Sequence, residues 1–318
     1  MSRPLTPASW HTGGPAVDPA ASVTLVFVAW NARQHLARAL DAAVATGWPV
    51  IVVDNASTDG TSEYVRVRVP EAQLVAADRN LGFAGGVNAG VREASTAWVL
   101  VLNPDIVLTR AAVDRMLRAG TEPTVGAIGA QLFGPDGHPQ PGYSLRRFPT
   151  LGTWTADLLL LDHLWPDNPA SRRYLAADLD RTRDQDIEQP SAACLLVRRA
   201  AFDAVGGLDT QFHPAWFEDV DFCQRLHAAG WRLRYVADAH VVHEGGVAMR
   251  ALGLGSFSAI WYRNLLRYVA KHGSVAARVS IRPLLVIGMI LRIVISLLRG
   301  RRREARAYVA VLPIAFGR

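Results

Sequence analysis

VTLVFVAWN (23–31), PVIVVDNASTDG (49–60), QLVAADRN (73–80) and AWVLVLNPD (97–105) decide the fold. Each is a short apolar run that ends in polar residues, and segments with helical character lie between them. Ala32–Thr46 carries Leu36, Leu40 and Val44 on one helical face. SerThrAspGly (57–60) starts a helix that Pro70 closes, and Phe83–Ser95 reads as a third helix. Apolar strands alternating with helices at this spacing predict an open, mainly parallel α/β sheet. Such sheets bind ligands beyond the carboxyl ends of their strands. Those ends carry Asn31, Asp54 to Asp59, Asp78 to Asn80 and Asn103 to Asp105, which together outline one polar site.

The later sequence is less regular. GAIGAQLFGPDGHPQ (126–140) reads as a strand and a Pro/Gly hairpin, and ACLLVRR (193–199) as a strand. FEDVDFCQRLHAAG (217–230) reads as a helix ended by Gly230, and WRLRYV (231–236) as another strand. Residues 166–189 are charged and Pro-flanked and read as a mobile surface loop. Residues 1–21 lack the apolar stretch of a signal peptide and read as a flexible tail.

With 50% apolar and 19% charged residues in 318, the chain is neither disordered nor fibrous. Two cysteines, Cys194 and Cys223, exclude a disulfide framework and structural zinc, which implies a reducing compartment. The formal charge of +6 hides a split. Residues 245–318 hold 13 of the 34 basic residues and only Glu304 of the 28 acidic ones. A basic C-terminal quarter on an acidic body points to an anionic partner surface.

Individual motifs have two readings each. NLGFAGGVNAG (80–90) fits neither a dinucleotide fingerprint nor a P-loop, and no GxSxG occurs. Cys223 and His227 lie one helical turn apart without further ligands, so core packing accounts for them. Asn103-Pro104-Asp105 either holds a hard divalent cation beside phosphates or starts the helix at 110–119. Glu218, Asp219 and Asp221 either serve chemistry or satisfy a helix dipole. His243 in HVVHEGG (240–246) is either a ligand or a loop histidine.

Taken in order, VAWN (28–31), VDNASTDGT (53–61), NLGFAGGVNAG, LNPD (102–105), GGLDTQF (206–212), FEDVDFCQR (217–225) and HVVHEGG resemble one family. They are similar to inverting family-2 glycosyltransferases with the GT-A fold, of the rhamnosyltransferase type found in actinobacterial polyprenyl-diphosphate-GlcNAc enzymes. The resemblance implies a Rossmann-like mixed, mainly parallel sheet with flanking helices. It implies a catalytic domain over 22–250, with a nucleotide-sugar half (22–105) and an acceptor half (106–250). It assigns Asp54, Asn31 and Asp78 to the nucleobase side, and Asn80, Gly82 and Gly86 to the diphosphate and sugar. Asp105 matches the last acidic position of the family's DxD motif, with neutral Asn103 at the first, and His243 matches the late metal-site histidine. Asp219 matches the catalytic base, with Glu218 and Asp221 on the acceptor side.

The implied reaction is a single displacement at an anomeric carbon, which needs a base for the acceptor hydroxyl and an electrophile for the departing diphosphate. The expected cofactor is Mn²⁺ or Mg²⁺. The expected donor is dTDP-rhamnose and the acceptor a polyprenyl-diphosphate-linked saccharide. Rivals are a galactofuranosyl- or other hexosyltransferase, a nucleotidyltransferase, and a noncatalytic glycan- or membrane-binding protein.

RPLLVIGMILRIVISLLRGRRR (282–303) closes the chain's basic helical region, 251–318. Its apolar stretch, 284–298, is interrupted by Arg292 and Ser296 and is short of the ~20 residues that span a bilayer. It is expected to lie at an anionic membrane interface on the cytoplasmic side, making the protein peripheral or monotopic. Burial against the catalytic domain is the alternative, and no nucleic-acid reader motif is present.

Overall fold

In the computed structural model, the described residues are 22–245 and 252–317. The tail over 1–21 and the last glycine of HVVHEGG lie outside them. β1 (Val23–Ala29), β2 (Val50–Asp54), β3 (Gln73–Ala76) and β4 (Trp98–Leu102) alternate with α1 (Arg33–Val44), α2 (Thr61–Arg68) and α3 (Gly82–Glu93). The four strands pair in parallel in the order β3-β2-β1-β4. β1 is buried throughout because each of its faces meets a helix. Leu25 and Phe27 share a core with Leu36 and Leu40 of α1. Val26 and Val28 meet α3, where Cβ atoms added at Gly90 and Gly86 would lie 2.3 and 2.5 Å from the valine methyls. Glycine at those positions lets α3 pack this close.

β5 (Ile106–Val107), α4 (Arg110–Ala119), β6 (Val125–Phe133), β7 (Cys194–Arg198), α5 (Glu218–Ala228) and β8 (Arg232–His243) follow. β7 runs antiparallel between β4 and β6, and β6 pairs in parallel with β8. The order is therefore β3-β2-β1-β4-β7-β6-β8-β5, the mixed, mainly parallel sheet expected. β8 extends well past 236, because a register shift between Val236 and His240 absorbs three residues and the strand rejoins β6 up to Phe133. Its end carries β5, with His243 opposite Ile106.

By contacts the chain divides into two units. The first holds the sheet and runs to Arg146, then over Asp180–Pro214 and Glu218–Gly245. The second comprises Arg147–Leu179, Ala215–Phe217 and the described residues after 251. Residues 166–189 are more ordered than a loop reading implies. Asn168 accepts from Ser171 N at 3.0 Å and, with Pro169 behind it, starts the helix Pro169–Tyr174. Gln185–Asp186 then pairs with β8.

The second unit is built on α6 (Leu254–His272), α7 (Val275–Leu298) and α8 (Arg302–Val309). Trp216 and Phe217 have left-handed backbones, φ 72° and 74°, which cost free energy outside glycine. They are held there from α6. Asn264 donates to the Ala215 carbonyl at 2.8 Å and the Trp216 carbonyl at 3.3 Å. Phe257 packs edge-on to Trp216 at 4.8 Å, and Trp261 lies 4.9 Å from Phe217. α7 is 24 residues long, well beyond the apolar stretch 284–298. Ser274 caps it, and Pro283 sits inside, forgoing one backbone bond.

Candidate active site

The strand ends do meet. Asn31, with φ 48°, donates its N–H to Ser57 Oγ at 2.8 Å and accepts from Thr58 N at 2.8 Å. The loops after β1 and β2 are thereby sewn together. Asp54 is buried, accepting from Ser57 N at 3.0 Å and from the Ser62 hydroxyl. Asp59 accepts from Thr61 N and Arg33 N. Partial burial raises its pKa, but hydrogen bonds led by the Thr61 hydroxyl outweigh that and hold it below its ordinary value. Beside them opens a cavity of about 720 Å³ lined by Asn31, Arg33, His35, Asp59 and Tyr64, among others. Asp78 is exposed two residues beyond β3.

Asn80 anchors the Gly-rich turn by accepting from Gly82 N at 2.8 Å. Asn55, buried at the end of β2, donates to Asn80 Oδ1 and accepts from Leu81 N at 2.7 Å. Gly82 has φ +73°, and a Cβ there would lie 2.8 Å from the Pro214 carbonyl, which already accepts from Phe83 N at 2.7 Å. The 80–83 turn is thus fastened to Pro214, four residues ahead of Glu218. Gly86 lies deeper in α3, where an added Cβ would lie 2.5 Å from Val28 Cγ1.

The pairing of β5 with β8 brings Asp105 to His243. Both are buried, with Asp105 Oδ2 and His243 Nε2 at 3.7 Å. Asp105 Oδ2 also accepts from Gly245 N at 3.0 Å. Gln140 donates to the His243 carbonyl at 3.0 Å, which fixes its amide and leaves Oε1 to accept from Nδ1 at 3.0 Å. Nδ1 therefore carries the proton and Nε2 faces Asp105 with its lone pair. Burial lowers the His243 pKa, and Asp105 partly opposes this, so the neutral, ligating form is favoured.

This set fits a hard divalent cation. Among the described residues no group of three His, Cys, Asp or Glu side chains offers a closed metal cage. One carboxylate and one imidazole suit an ion that takes its remaining ligands from substrate phosphates and water. Asn103 is half-buried, and its N–H donates to the Ala193 carbonyl at 2.9 Å, which fixes the turn leading to Asp105.

The three carboxylates of α5 separate by environment. Asp221 is fully buried and paired with Arg225, four residues on, at 2.8 Å. Arg225 in turn donates to the Val205 and Gly207 carbonyls, so the pair staples the GGLD turn to the helix. Glu218 is buried with Oε2 unpartnered, and burial pushes its carboxyl well above the usual range, with Asp219 adding repulsion. Asp219 is half-buried and accepts only locally, from Val220 N at 2.8 Å. α5 packs against the Gln189–Pro190 segment through Cys223, whose thiol lies 3.9 Å from the Pro190 carbonyl.

Several residues escaped the sequence reading. Asn55 and Asn88 stood inside quoted motifs, where an amide flanking an aspartate or a glycine is a signal. Asn88 grips Leu208 by both its N–H and its carbonyl. Gln140, Tyr143 against the His243 ring, and His35 on Glu244 at 3.0 Å carried no signal, because each depends on a long-range pairing.

Residues 24–206 match the model of glycosyl transferase family 2. Over 236 residues the chain is 35% identical to the N-acetylglucosaminyl-diphospho-decaprenol L-rhamnosyltransferase of Mycobacterium tuberculosis, covering 69% of this chain and 75% of that one. It is 26% identical to a rhamnosyltransferase of Escherichia coli K12, over 57% of this chain and 64% of the other. A mannosyltransferase of Pyrobaculum calidifontis, solved with GDP-Man and Mn²⁺, superposes with a TM-score of 0.56 at 16% identity, covering 97% and 91% of the two chains. Sheet order, strand-end site and these likenesses agree: the chain belongs to glycosyl transferase family 2 and is a glycosyltransferase with a GT-A-like fold.

Proposed function

We propose that this glycosyltransferase moves L-rhamnose from dTDP-rhamnose, with inversion, onto a polyprenyl-diphosphate-linked saccharide at the cytoplasmic face of the membrane. The observation that carries the reading is the buried Asp105–His243 pair, its imidazole oriented by Gln140 at the edge where the parallel strands end. The Mycobacterium relative, whose name gives a GlcNAc-diphospho-decaprenol acceptor, supports the sugar and the acceptor class.

In this reading Asn31, Asp54 and Asp78 meet the nucleoside, and Asn80 with Gly82 shapes the turn facing the diphosphate. Asp105 and His243, with Asn103 beside them, hold Mn²⁺ or Mg²⁺; when bound, the ion offsets charge on the departing diphosphate. Asp219 takes the proton of the acceptor hydroxyl as that oxygen attacks the anomeric carbon. Glu218, whose burial favours the protonated form, donates a hydrogen bond on the acceptor side. One displacement inverts the centre, so no second carboxylate nucleophile is required.

The test is a panel of nucleotide-sugars with a polyprenyl-diphospho-GlcNAc acceptor, with and without divalent cation. Nucleoside diphosphate release and product anomeric configuration are read together. dTDP-rhamnose should be the preferred donor and the configuration inverted. Preference for a galactofuranose or mannose donor overturns the sugar assignment, and pyrophosphate release from a nucleoside triphosphate overturns the transfer reading.

A further inference from the structure

From Pro283 onward α7 turns an apolar face outward as well as inward. From Pro283 to Leu298 every exposed side chain is apolar: Pro283, Ile287, Ile290, Leu291, Val294, Leu297 and Leu298. Ile290, Val294 and Leu297 are about half exposed, and Leu298 is 82% exposed. The stretch has a single charged residue, Arg292, and it points inward. Its guanidinium donates to the Leu158 carbonyl at 2.7 Å and the Asp157 carbonyl at 2.8 Å, with the Asp157 carboxylate at 3.4 Å. Leu285, Gly288, Met289 and Ser296 share that buried face. A helix on a water-soluble protein buries its apolar stripe and exposes its charges; here the exposed face is apolar as well as the buried one. An exposed apolar strip of this length marks an interaction surface.

The flanking charge selects the partner. Arg299, Arg301, Arg302 and Arg303 follow the helix and are all exposed, with Glu304 the single acid nearby. Apolar area bordered by arginine matches acyl chains beneath anionic headgroups. Length alone would let α7 cross a bilayer, since 24 residues rise about 36 Å. α8, however, folds back along α7 and carries Arg302, Arg303 and Arg306 in exposed positions. Those charges would share the depth of the hydrocarbon core in a spanning arrangement, so the helix lies along the surface. Arg292, which breaks the apolar run in the sequence, does not break the apolar face.

We infer that α7 docks in the plane of an anionic bilayer, with Ile287, Ile290, Val294 and Leu297 in the acyl region and Arg292 directed into the protein. The inference rests on the proposed use of a lipid-linked acceptor, to which such docking brings the enzyme.

The test uses the full chain and vesicles of phosphatidylcholine with phosphatidylglycerol. Nitroxide labels on single cysteines at Ile290 or Val294 report depth through their accessibility to oxygen and to a water-soluble nickel chelate. The native Cys194 and Cys223 are buried with thiols pushed up in pKa, so they do not compete for label. With vesicles, both labels should become shielded from nickel and exposed to oxygen, while a label at Val67, exposed on α2, stays unchanged. Ile290→Asn with Val294→Asn should lower vesicle partition by about tenfold or more, with an unchanged thermal melt. Labels that remain open to nickel on vesicle-bound protein overturn the inference. So does a dimer in buffer whose labels broaden one another, which would make the face a contact between copies. Transfer to a water-soluble acceptor analogue is followed in parallel. Its absence in the wild-type chain would defeat the functional reading while leaving the depth measurement standing.

Discussion

Gln140 holds His243 at two points, donating to its backbone carbonyl and accepting from its Nδ1, each at 3.0 Å. The carbonyl can only accept, so the amide nitrogen must face it and the amide oxygen must face the ring. This fixes the ring's tautomer and aim before any ion arrives. Residues that orient a metal-bound histidine are typically worth about 10–100-fold in affinity. Gln140→Leu should therefore weaken Mn²⁺ binding by that order, followed by the electron paramagnetic resonance of free Mn²⁺. Gln140→Glu retains an acceptor for Nδ1 but loses the donor and should fall between. Wild-type Mn²⁺ affinity in the leucine variant refutes the assignment.

Gly86 separates two explanations of a glycine. The resemblance places it at the diphosphate, whereas its missing Cβ would lie 2.5 Å from Val28 Cγ1. Alanine gains about 1 kcal/mol of helix propensity, but overpacking costs about 1–3 kcal/mol, so Gly86→Ala should destabilise. Val28→Ala opens the space. In a double-mutant cycle by urea unfolding, the two should couple favourably by about 1 kcal/mol, within the range for touching residues. Donor affinity should return in the double variant. A donor-affinity loss that persists there puts Gly86 at the ligand.

The parallel half of the fold was legible because its strands are mostly apolar and end abruptly in Asn31, Asp54, Asp78 and Asn103. Asp105 and His243 were legible as chemical types, but their meeting depends on the short pairing of β5 with the end of β8. No local pattern announces that pairing, and it is why Gln140 was invisible. Asp221 was separable from Asp219 in FEDVD by Arg225 four residues on, and the structure makes that pair at 2.8 Å, but the complete burial of Asp221 has no local signal. The same holds for Arg292. Composition sees a charge in an apolar run, while its hydrogen bonds to carbonyls far back in the chain decide which way it points. Asn168-Pro169, by contrast, was a readable helix start within a stretch whose charge suggested a loop.

Glu218 ties stability to pH. Burial, reinforced by the neighbouring Asp219, raises its folded pKa well above the unfolded value of about 4.5. The folded state then binds the proton more tightly than the unfolded chain. Its stabilising share is complete below the unfolded pKa and is lost as pH rises through the folded pKa. Glu218→Gln keeps the shape of the neutral acid and removes the titration. Its melting temperature should match wild type near pH 4 and exceed it increasingly above the ordinary carboxylate range. Parallel melting curves from acid to neutral pH would show that Glu218 ionises freely in the fold.

Of the three carboxylates of α5, Asp219 is the one we propose for proton transfer. Asp221 is committed to Arg225, and burial disfavours the charged form of Glu218. Asp219 keeps a half-exposed carboxylate at the helix N-terminus. A positioned base contributes about 10²–10⁴ in rate. Asp219→Asn preserves size and the contact to Val220 N, so it should cut kcat by that order with donor affinity nearly unchanged. Asp221→Asn should act differently, lowering the melting temperature through the loss of a buried ion pair and changing kcat only as far as the fold loosens. Steady-state kinetics with melting curves for the two variants separate these outcomes. Near-normal turnover in Asp219→Asn, with loss in a well-folded Asp221→Asn, would reverse the roles of the two residues.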